Sequence, residues 1–590
     1  MKKYLLTLIL LLFASTSWAT TYYVDSAITD TNVASATPDF TTYNPTTFAT
    51  DTGSSSVYKT IADVNLKAFA AGDSVLFRKG QTWREQLTVP SSGTDGHPIT
   101  FGAYGSGANP IITPSKLMTG WSLYSGNIYS VSYISTAYSV WEDNTYLTKV
   151  ASLDALISVG EWYIDTTNHL LYIWTLDGSD PNNHTIEVAS TAGTEDTAIT
   201  LSSKSYITID NLILEKHSGN AVKGLIGGTT SSYITMSNLE VRYGGYQGYG
   251  IMFNTNGSHN TVQDSTIHDI RNTGIYFSNG VDYPTIQRCT VYNIGQNDDV
   301  GDNGGITIGG GTTASSYATI ENNELYNIGY AISAQSHNQT ILIDRGGGTY
   351  IVRYNKIHDC VKGGIYVVGY AGSHSDGIQI YYNLVYNINA ANNATYSGNA
   401  PGIGTSNADN VWIYNNVIWN IGTGATYGAP CMLITGTVGE TLDNTIIENN
   451  VIGPSTGTKR RHYSARGNST FTDFVSNYNC FYDSVGYVLY DAANNYTTVA
   501  DFNTATGFEA NSIVADPLFV SATDFRLQSG SPAKDTGVSV GLTKDYIGNY
   551  VPYNTTPDIG AYEYPSHPMT TIGTGSGTVT LGSGGTATLR

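Results

Sequence analysis

The chain has 590 residues, of which 13% are charged, and its formal net charge is −20. With 64 glycines and 45 tyrosines, the composition is typical of a large all-β protein and excludes an intrinsically disordered chain. The acidic balance also argues against nucleic acid as a partner, because phosphates would be repelled.

The first residues have the pattern of a secretory signal peptide. Lys2 and Lys3 form a basic start, residues 5–13 form an apolar core, and Ser17-Trp18-Ala19 is a small-x-small cleavage site. The apolar run is too short to cross a bilayer, and no other segment reaches that length. We therefore expect a signal peptide over residues 1–19, no membrane span, and a protein that is secreted or held at the cell surface.

Residues 20–139 are predicted to form an N-terminal cap and the first coils of a repeat domain. Residues 61–71 read as a helix that could cover an unpaired sheet edge, and Gly72-Asp73 turns into a strand over residues 74–78.

Residues 140–190 interrupt the pattern and predict a small antiparallel β insert. Residues 162–164 and 170–174 read as two strands around a turn at residues 165–168. The aromatic side chains of the insert could form a sugar-stacking platform, or they could pack the insert onto the rest of the protein.

A repeated phrase begins at residue 211: Asn, two or three apolar or β-branched residues, a short turn, and Gly-Ile. Its apolar position recurs over 185 residues in six steps, about 31 residues each, at Ile267, Val291, Leu325, Ile357, Val385, Ile418 and Ile452. Short strands at such a period predict a solenoid over residues 191–500, with neighbouring strands paired in parallel. The recurring Asn tolerates left-handed corners, and its amide can form hydrogen bonds along a stack.

The two ends of this region carry the resemblance to a known group. The stretch YKTIADVNLKAFAAGDSVLFRKGQTWREQLTVPSSGTDGHPITFGAYGSG begins at Tyr58, and DPLFVSATDFRLQSGSPAKDTG begins at Asp516 and is followed by PDIGAYEY. With the repeats between them, they resemble secreted right-handed parallel β-helix proteins of the pectate-lyase-like group. The resemblance implies an all-β, right-handed parallel β-helix, closed by a module over residues 501–564 and followed by a Gly/Ser/Thr-rich tail over residues 565–590. It transfers no catalytic residue, because this fold carries lyases, hydrolases, epimerases and adhesins.

Each Gly-Ile strand is expected to occupy the same position in its coil. The coils can therefore be aligned on Ile251, Ile275, Ile306, Ile332 and Ile365. Side chains that lie a similar number of residues before these isoleucines are predicted to line one flank of the strand stack. This polar flank holds Arg242, Tyr243, His268, Arg271, Asp298, Asp299, Asp302 and Lys362. His268 and His358 occupy positions filled by tyrosine in other coils, which indicates a role in the repeat for both. The acidic loop around Asp299 is also compatible with turn formation alone.

Two chemistries fit this flank if it binds a polysaccharide. In β-elimination of an acidic glycan, Lys362 would be the base and Arg271 would hold the substrate carboxylate. Asp298, Asp299 and Asp302 would bind Ca²⁺, while Arg242, Tyr243 and His268 would contact the substrate. In glycoside hydrolysis, Asp299 and Asp302 would be the paired carboxylates.

We favour elimination because cations accompany the carboxylates. A non-enzymatic adhesin or carbohydrate-binding scaffold is the remaining alternative, and we expect a monomer. The four cysteines, Cys289, Cys360, Cys431 and Cys480, show no CxxC spacing and are interpreted as buried thiols rather than a disulfide framework.

Overall fold

The fold is known from a computed structural model. It describes residues 19–31, 35–190, 197–219, 224–295, 304–311, 313–329, 339–361, 363–388, 401–422, 430–455, 461–465, 469–483, 489–491, 494–565, 578–580 and 586–588. Of the expected signal peptide, only Ala19 lies within these ranges. Within them, no helix combines the length and the apolar character needed to span a membrane.

Three long sheets form the body of the molecule, and each coil adds one strand to the first, the second and then the third. The 15 strands of the first sheet, in spatial order, are Phe40–Tyr43, Ser55–Tyr58, Thr21–Val24, Ser74–Arg78, Ile99–Tyr104, Ser205–Asp210, Ser232–Ser237, Thr261–Gln263, Thr285–Gln287, Thr319–Glu321, Tyr350–Arg353, Ser375–Tyr381, Ala408–Tyr414, Thr441–Glu448 and Thr470–Asn477. The 13 strands of the second sheet are Thr82–Trp83, Ile111–Ile112, Ile213–Glu215, Glu240–Arg242, Thr266–Ile270, Thr290–Ile294, Glu324–Ile328, Lys356–Cys360, Leu384–Ile388, Val417–Ile421, Val451–Ile452, Cys480–Phe481 and Ile513–Val514. The 13 strands of the third sheet are Leu87–Thr88, Ile199–Thr200, Gly224–Thr229, Tyr249–Asn254, Ile275–Ser278, Ile306–Gly309, Ile341–Asp344, Ile365–Val368, Ile403–Ser406, Pro430–Thr435, Arg461–Ala465, Leu489–Asp491 and Asn494–Tyr496.

The core consists of columns of β-branched side chains that run along the stack. Ile267 pairs in parallel with Val291, and the same column continues through Leu325, Ile357, Val385, Ile418 and Ile452. Each of these side chains is fully buried. Burial depends on stacking, because a single short strand has no apolar surface opposite it within its own coil. The predicted parallel solenoid is confirmed.

The predicted alignment of the coils is wrong at one isoleucine. Ile306 pairs with Ile341, and Ile341 pairs with Ile365, so Ile341 occupies the column position assigned to Ile332. Ile332 lies outside the described residues. The sequence of residues 329–332 resembles the repeated Gly-Ile pattern. In this coil, however, the connection between the second and third sheets is longer, and the third-sheet strand begins only at Ile341. Local sequence alone could not distinguish the two isoleucines.

A column of buried asparagines forms a hydrogen-bonded ladder at the corner between the first and second sheets. Its members are Asn323, Asn355, Asn383, Asn416, Asn450 and Asn479. For example, Asn383 Nδ2 donates to Asn416 Oδ1 at 3.0 Å and to Val352 O at 2.8 Å. The last amide, Asn479 Nδ2, donates to the fully buried carboxylate of Glu509. Burial raises the pKa of Glu509.

The N-terminal helix spans Ile61–Leu66 rather than residues 61–71. Thr60 caps it by accepting a hydrogen bond from Asp63 N, and Lys67 is already in an extended conformation. Phe69 lies beyond the end of the helix, but it is 6% exposed and belongs to the core. Its apolar side chain fits the pattern of a longer helix, which is why the sequence predicted one.

The insert is a unit of two small sheets whose strands pair antiparallel, except for Thr148–Lys149, which pairs in parallel with Glu161–Asp165. Its strands begin earlier than residue 140. One sheet contains Ser122–Ser125, Ile128–Ser132, Leu170–Trp174, Glu161–Asp165 and Thr148–Lys149, and the other contains Thr145–Tyr146, Ala137–Glu142, Ile186–Ser190 and Lys116–Met118. Short 3₁₀ helices occur at Leu153–Ala155 and Pro181–Asn183. Trp162 and Leu171 are fully buried inside it, so these side chains pack the insert.

The C-terminal end closes the stack. The helix Val499–Thr506 places Phe502 in the main core, and the final coil strand, Ile513–Val514, pairs with Cys480–Phe481. Residues 516–564 then pack Phe525, Leu527 and Ile559 against the outer side of the second sheet. A separate two-stranded pair, Thr578–Thr580 and Thr586–Thr588, lies in the tail. All four cysteines are buried and free.

Candidate functional site

A pocket of about 240 Å³ lies where the insert meets the corner between the second and third sheets. The insert leaves the solenoid after Ile111–Ile112 of the second sheet and returns at Ile199–Thr200 of the third, so it is an expansion of this corner. The pocket is lined by Trp141, Asn144, Thr145, Tyr146, Tyr243, Gly244, Asp269 and Arg271. We call residues 141–146 of the insert the overhang.

The overhang is a tight hairpin. Strands Ala137–Glu142 and Thr145–Tyr146 pair around Asp143 and Asn144, which have φ values of 46° and 72°. Asp and Asn tolerate this left-handed conformation better than most residues, so the sequence permits a two-residue turn. The turn places Trp141 and Tyr146 on the same side of the hairpin, with ring centroids 5.8 Å apart.

The insert contacts the solenoid through direct hydrogen bonds. Ser139 Oγ donates to Ser218 O at 2.7 Å and accepts from Tyr246 N at 3.0 Å. Close approach requires glycine at residue 245, because a Cβ there would lie 2.1 Å from His217 O and 2.6 Å from Ser139 Oγ. The insert is therefore closely packed against two successive corner turns.

Arg271 contributes a positive charge to the pocket. Its guanidinium carbon lies 4.1 Å from the centre of the Tyr146 ring. Among the residues that the structure describes, it forms no ion pair, and its buried Nε donates no hydrogen bond. Arg242, Arg288 and Arg353, by contrast, each pair with a carboxylate. A half-buried guanidinium without a counter-ion favours the binding of an anion.

Asp269 and Tyr243 supply the other polar groups of the pocket wall. Asp269 is partly exposed, and its Oδ2 lies 2.6 Å from His268 Nδ1. The Tyr243 ring lies near two cations, with Lys216 Nζ 5.5 Å and the Arg242 guanidinium carbon 5.1 Å from its centroid. Burial raises the pKa of Tyr243 despite the charge of Arg242, so its hydroxyl stays protonated at neutral pH.

An ion-pair network lies beneath the pocket and joins the insert to four coils. Its charges alternate through Arg84, Glu187, Lys216, Glu215, Arg242, Glu240, His268 and Asp269. Arg242 Nε lies 2.7 Å from Glu215, and its Nη1 lies 2.6 Å from Glu240. Burial opposes protonation of His268, but its hydrogen bonds with Asp269 and Glu240 outweigh that effect and raise its pKa.

His268 also belongs to a stack of outward-facing rings on the second sheet. The stack contains His268, Tyr292, Tyr326, His358 and Tyr386, with centroids 4.8–5.3 Å apart. His358 repeats the contacts of His268, with Nδ1 2.7 Å from Asp359 and Nε2 3.2 Å from Glu324. This repetition supports a structural role for both histidines.

The structure brings together part of the predicted flank. Arg271 and Tyr243 line the pocket, and Arg242 and His268 lie in the network beneath it. The other predicted site residues, Asp298, Asp299, Asp302 and Lys362, lie outside the described residues. The alignment of the coils on their Gly-Ile strands did not identify Tyr146 or Asp269 as site residues. Tyr146 belongs to the insert, which has no phase relation to the coils, and Asp269 occupies a position that holds asparagine in several other coils.

A group with metal-binding donors occurs in the insert. Glu142, Asp177 and His184 each place a ligand atom within 4.8 Å of the others. Two carboxylates and an imidazole suit a transition metal better than Ca²⁺, which prefers oxygen donors. None of the three lines the pocket, and His184 Nδ1 is already 2.8 Å from Asp143 Oδ2. The group therefore gives no support to the predicted Ca²⁺ site.

Comparisons with known proteins bear on the fold. Residues 178–340 match the family model for the right-handed β-helix region. The sequence matches no curated protein. A XylC complex with xylose is similar over 84% of this chain and 82% of that chain, at 14% identity and a TM-score of 0.48. A glycoside hydrolase is similar over 79% and 98%, at 9% identity and 0.43, and pectate lyase Pel9A over 92% and 97%, at 12% identity and 0.32.

At such low identities and TM-scores, these structural similarities carry no argument about activity. The fold rests instead on the chain's own strand registers, on its stacked isoleucine and asparagine columns, and on the family match over residues 178–340. Together they make the chain a right-handed parallel β-helix repeat protein.

Proposed function

We propose that this protein binds an acidic polysaccharide at the pocket beneath the overhang and cleaves it by β-elimination. The observation that carries the proposal is Arg271, a half-buried cation that pairs with no carboxylate among the described residues, in a chain of net charge −20. An arginine in this state favours a carboxylate ligand, and its planar guanidinium can form two parallel hydrogen bonds with one.

Elimination uses such a cation directly. A base removes the proton from the carbon next to the sugar carboxylate, and the electron pair then forms a C=C bond and expels the glycosidic oxygen, which takes up a proton. Negative charge develops on the carboxylate in the transition state, where Arg271 would stabilise it. We propose Lys362 as the base, and the protonated hydroxyl of Tyr243 as a hydrogen-bond donor to the substrate.

Hydrolysis is the weaker alternative. It requires two carboxylates on either side of the scissile bond. Among the described lining residues, Asp269 is the one carboxylate, and its oxygens already contact His268 and Asn293. A hydrolase would therefore need Asp299 and Asp302 as its acid and base.

Ca²⁺ remains part of the proposal through Asp298, Asp299 and Asp302 alone. Three carboxylates within five residues offer the oxygen donors that this ion prefers. When bound, Ca²⁺ would supply further positive charge next to the substrate carboxylate. We also propose that the protein acts outside the cytoplasm, as the pattern of residues 1–19 predicts, and as a monomer.

A glycan panel tests the activity. The full chain is incubated with polygalacturonate, alginate and hyaluronan as acidic polymers, and with xylan and amylose as neutral ones. Elimination produces an unsaturated sugar that absorbs in the ultraviolet, whereas hydrolysis produces reducing ends without that absorbance. We expect ultraviolet absorbance with at least one acidic polymer and none with the neutral polymers. Reducing ends alone would replace elimination with hydrolysis, and binding without cleavage would favour the adhesin alternative.

A further inference from the structure

We propose that the overhang is a stop for the glycan chain, so that the pocket accepts one terminal sugar residue and cleavage proceeds from a chain end. This inference rests on the proposed function, since it concerns how a polysaccharide enters the same pocket. It is carried by the position, the packing and the size of the overhang and its pocket.

The overhang lies across the path of an extended ligand. At this corner the insert belongs to the coil of Ile111–Ile112, and the coils of Ile213–Glu215, Glu240–Arg242 and Thr266–Ile270 follow along the axis. The overhang contacts the first of these coils through Asn144 Oδ1, 2.5 Å from Lys216 Nζ, and the third through Tyr146 against Arg271. Tyr243 of the middle coil lines the pocket beside it. At a strand spacing of roughly 4.8 Å, it reaches about 14 Å from its own coil.

On the N-terminal side of the pocket, described residues of the insert are joined directly to the solenoid. Lys216 and Glu187 form a buried ion pair at the base of the insert, with side chains 3% and 2% exposed. The Ser139 hydrogen bonds to Ser218 and Tyr246 join the two surfaces beside it. These contacts favour a glycan that extends in the opposite direction, towards the later coils.

The volume of the pocket fits a single sugar residue. Pockets for drug-sized ligands measure about 300–1,000 Å³, and this pocket measures about 240 Å³. Asp269, Tyr243 and Asn144 surround the space with hydrogen-bonding groups, and Arg271 supplies the positive charge. A pocket of this size, bounded on one side by the overhang, would recognise the end of a chain and exclude an internal segment that must continue on both sides.

Product analysis tests the inference. The full chain is incubated with polygalacturonate, alginate and hyaluronan, and both solution viscosity and product size are followed at low conversion. We expect short products of uniform length from the first time points and a slow loss of viscosity. Oligosaccharides blocked at one end or the other should differ in rate by at least about tenfold.

Variants of the overhang add a second readout. Tyr146→Ala opens the wall of the pocket, so it should lengthen the products and reduce the discrimination against blocked ends. Tyr124→Ala, on an exposed strand elsewhere in the insert, is the matched control and should leave both unchanged.

The outcomes distinguish the two proposals. A rapid loss of viscosity with long products, or equal rates with both blocked ends, would overturn the chain-end inference while leaving a polysaccharide-cleaving enzyme. No cleavage and no calorimetric binding of any of these polymers, with the protein folded, would overturn both.

Discussion

The Arg271 guanidinium lies 4.1 Å from the centre of the Tyr146 ring, and this contact joins a corner turn of the solenoid to the tip of the insert. The ring attracts the cation without neutralising it, so the positive charge remains available to an anionic ligand. A cation–π contact of this kind contributes about 0.5–2 kcal/mol. The charge of Arg271 and the docking of the insert can therefore be separated by substitution.

Arg271→Ala should lower kcat/KM for the acidic polymer by about 10²–10³-fold, because it removes a donor that stabilises transition-state charge. Arg288→Ala is the control, since Arg288 is an exposed arginine paired with Asp264. Initial rates from the ultraviolet absorbance of the product provide the measurement, and thermal unfolding reports stability. Equal rates for the Arg271 variant and the control would remove Arg271 from the mechanism.

Gly245→Ala should destabilise the docking of the insert by about 1–3 kcal/mol, as overpacking of close contacts generally does. The added Cβ would overlap His217 O and Ser139 Oγ. Gly530→Ala is the matched control, because its Cβ would meet only Leu518 at 3.8 Å. Hydrogen exchange of the overhang should quicken in the first variant and stay unchanged in the second. Unchanged exchange in both would mean that the insert does not depend on this contact.

The insert should lose stability as the pH rises through the range of His184. The hydrogen bond with Asp143 raises the pKa of His184, helped by the charges of Glu142 and Asp177 and opposed by burial. A histidine with a raised pKa in the folded state contributes stability that is present at low pH and is lost as pH rises through that pKa.

The protection of residues 161–174 against hydrogen exchange, relative to the intrinsic exchange rate at each pH, should therefore be lower at about pH 8 than at about pH 6. His184→Gln should flatten this dependence, whereas His97→Gln, at an exposed turn, should preserve it. A pH dependence that survives His184→Gln would assign it to another group.

Asn383→Ala should lower the thermal unfolding midpoint, because it leaves several buried groups without partners. The side chain accepts from Asn355 N and Asn355 Nδ2 and donates to Asn416 Oδ1. Each buried polar group left unpaired costs about 1–3 kcal/mol. Asn183→Ala, at an exposed position, is the control. Similar midpoints for the two variants would show that the ladder adds no net stability.

Removal of Ca²⁺ by a chelator should abolish cleavage, and added Ca²⁺ should restore it. Calorimetry should detect Ca²⁺ binding that is lost in Asp299→Ala and Asp302→Ala but retained in Asp95→Ala, a substitution at an exposed hairpin turn. Binding that is absent, or unchanged in the two variants, would remove the ion from the mechanism.

The sequence predicts the solenoid well because every coil repeats the same packing contacts with its neighbours. Ile267, Val291 and Leu325 share one column since each coil must present the same apolar position to its neighbours. The same reasoning placed Arg271 and Tyr243 near each other, because both follow second-sheet strands. It failed at Ile332, where the connection has a different length, and it could not find Tyr146. That ring reaches Arg271 from a hairpin far away in the chain, and its docking follows from tertiary packing rather than from any periodic signal.

The hydrogen bonds of the asparagine ladder all run in one direction along the solenoid, so its two ends should respond differently to a pulling force. Asn479 donates to Glu509, and every earlier amide in the ladder donates to the oxygen of the asparagine in the next coil. Detaching the last coil would remove the Glu509 carboxylate that accepts from Asn479, and would weaken the position of Asn479, which in turn accepts from Asn450. A chain pulled from its C-terminal end should peel one coil at a time, each rupture exposing the donor whose loss weakens the next.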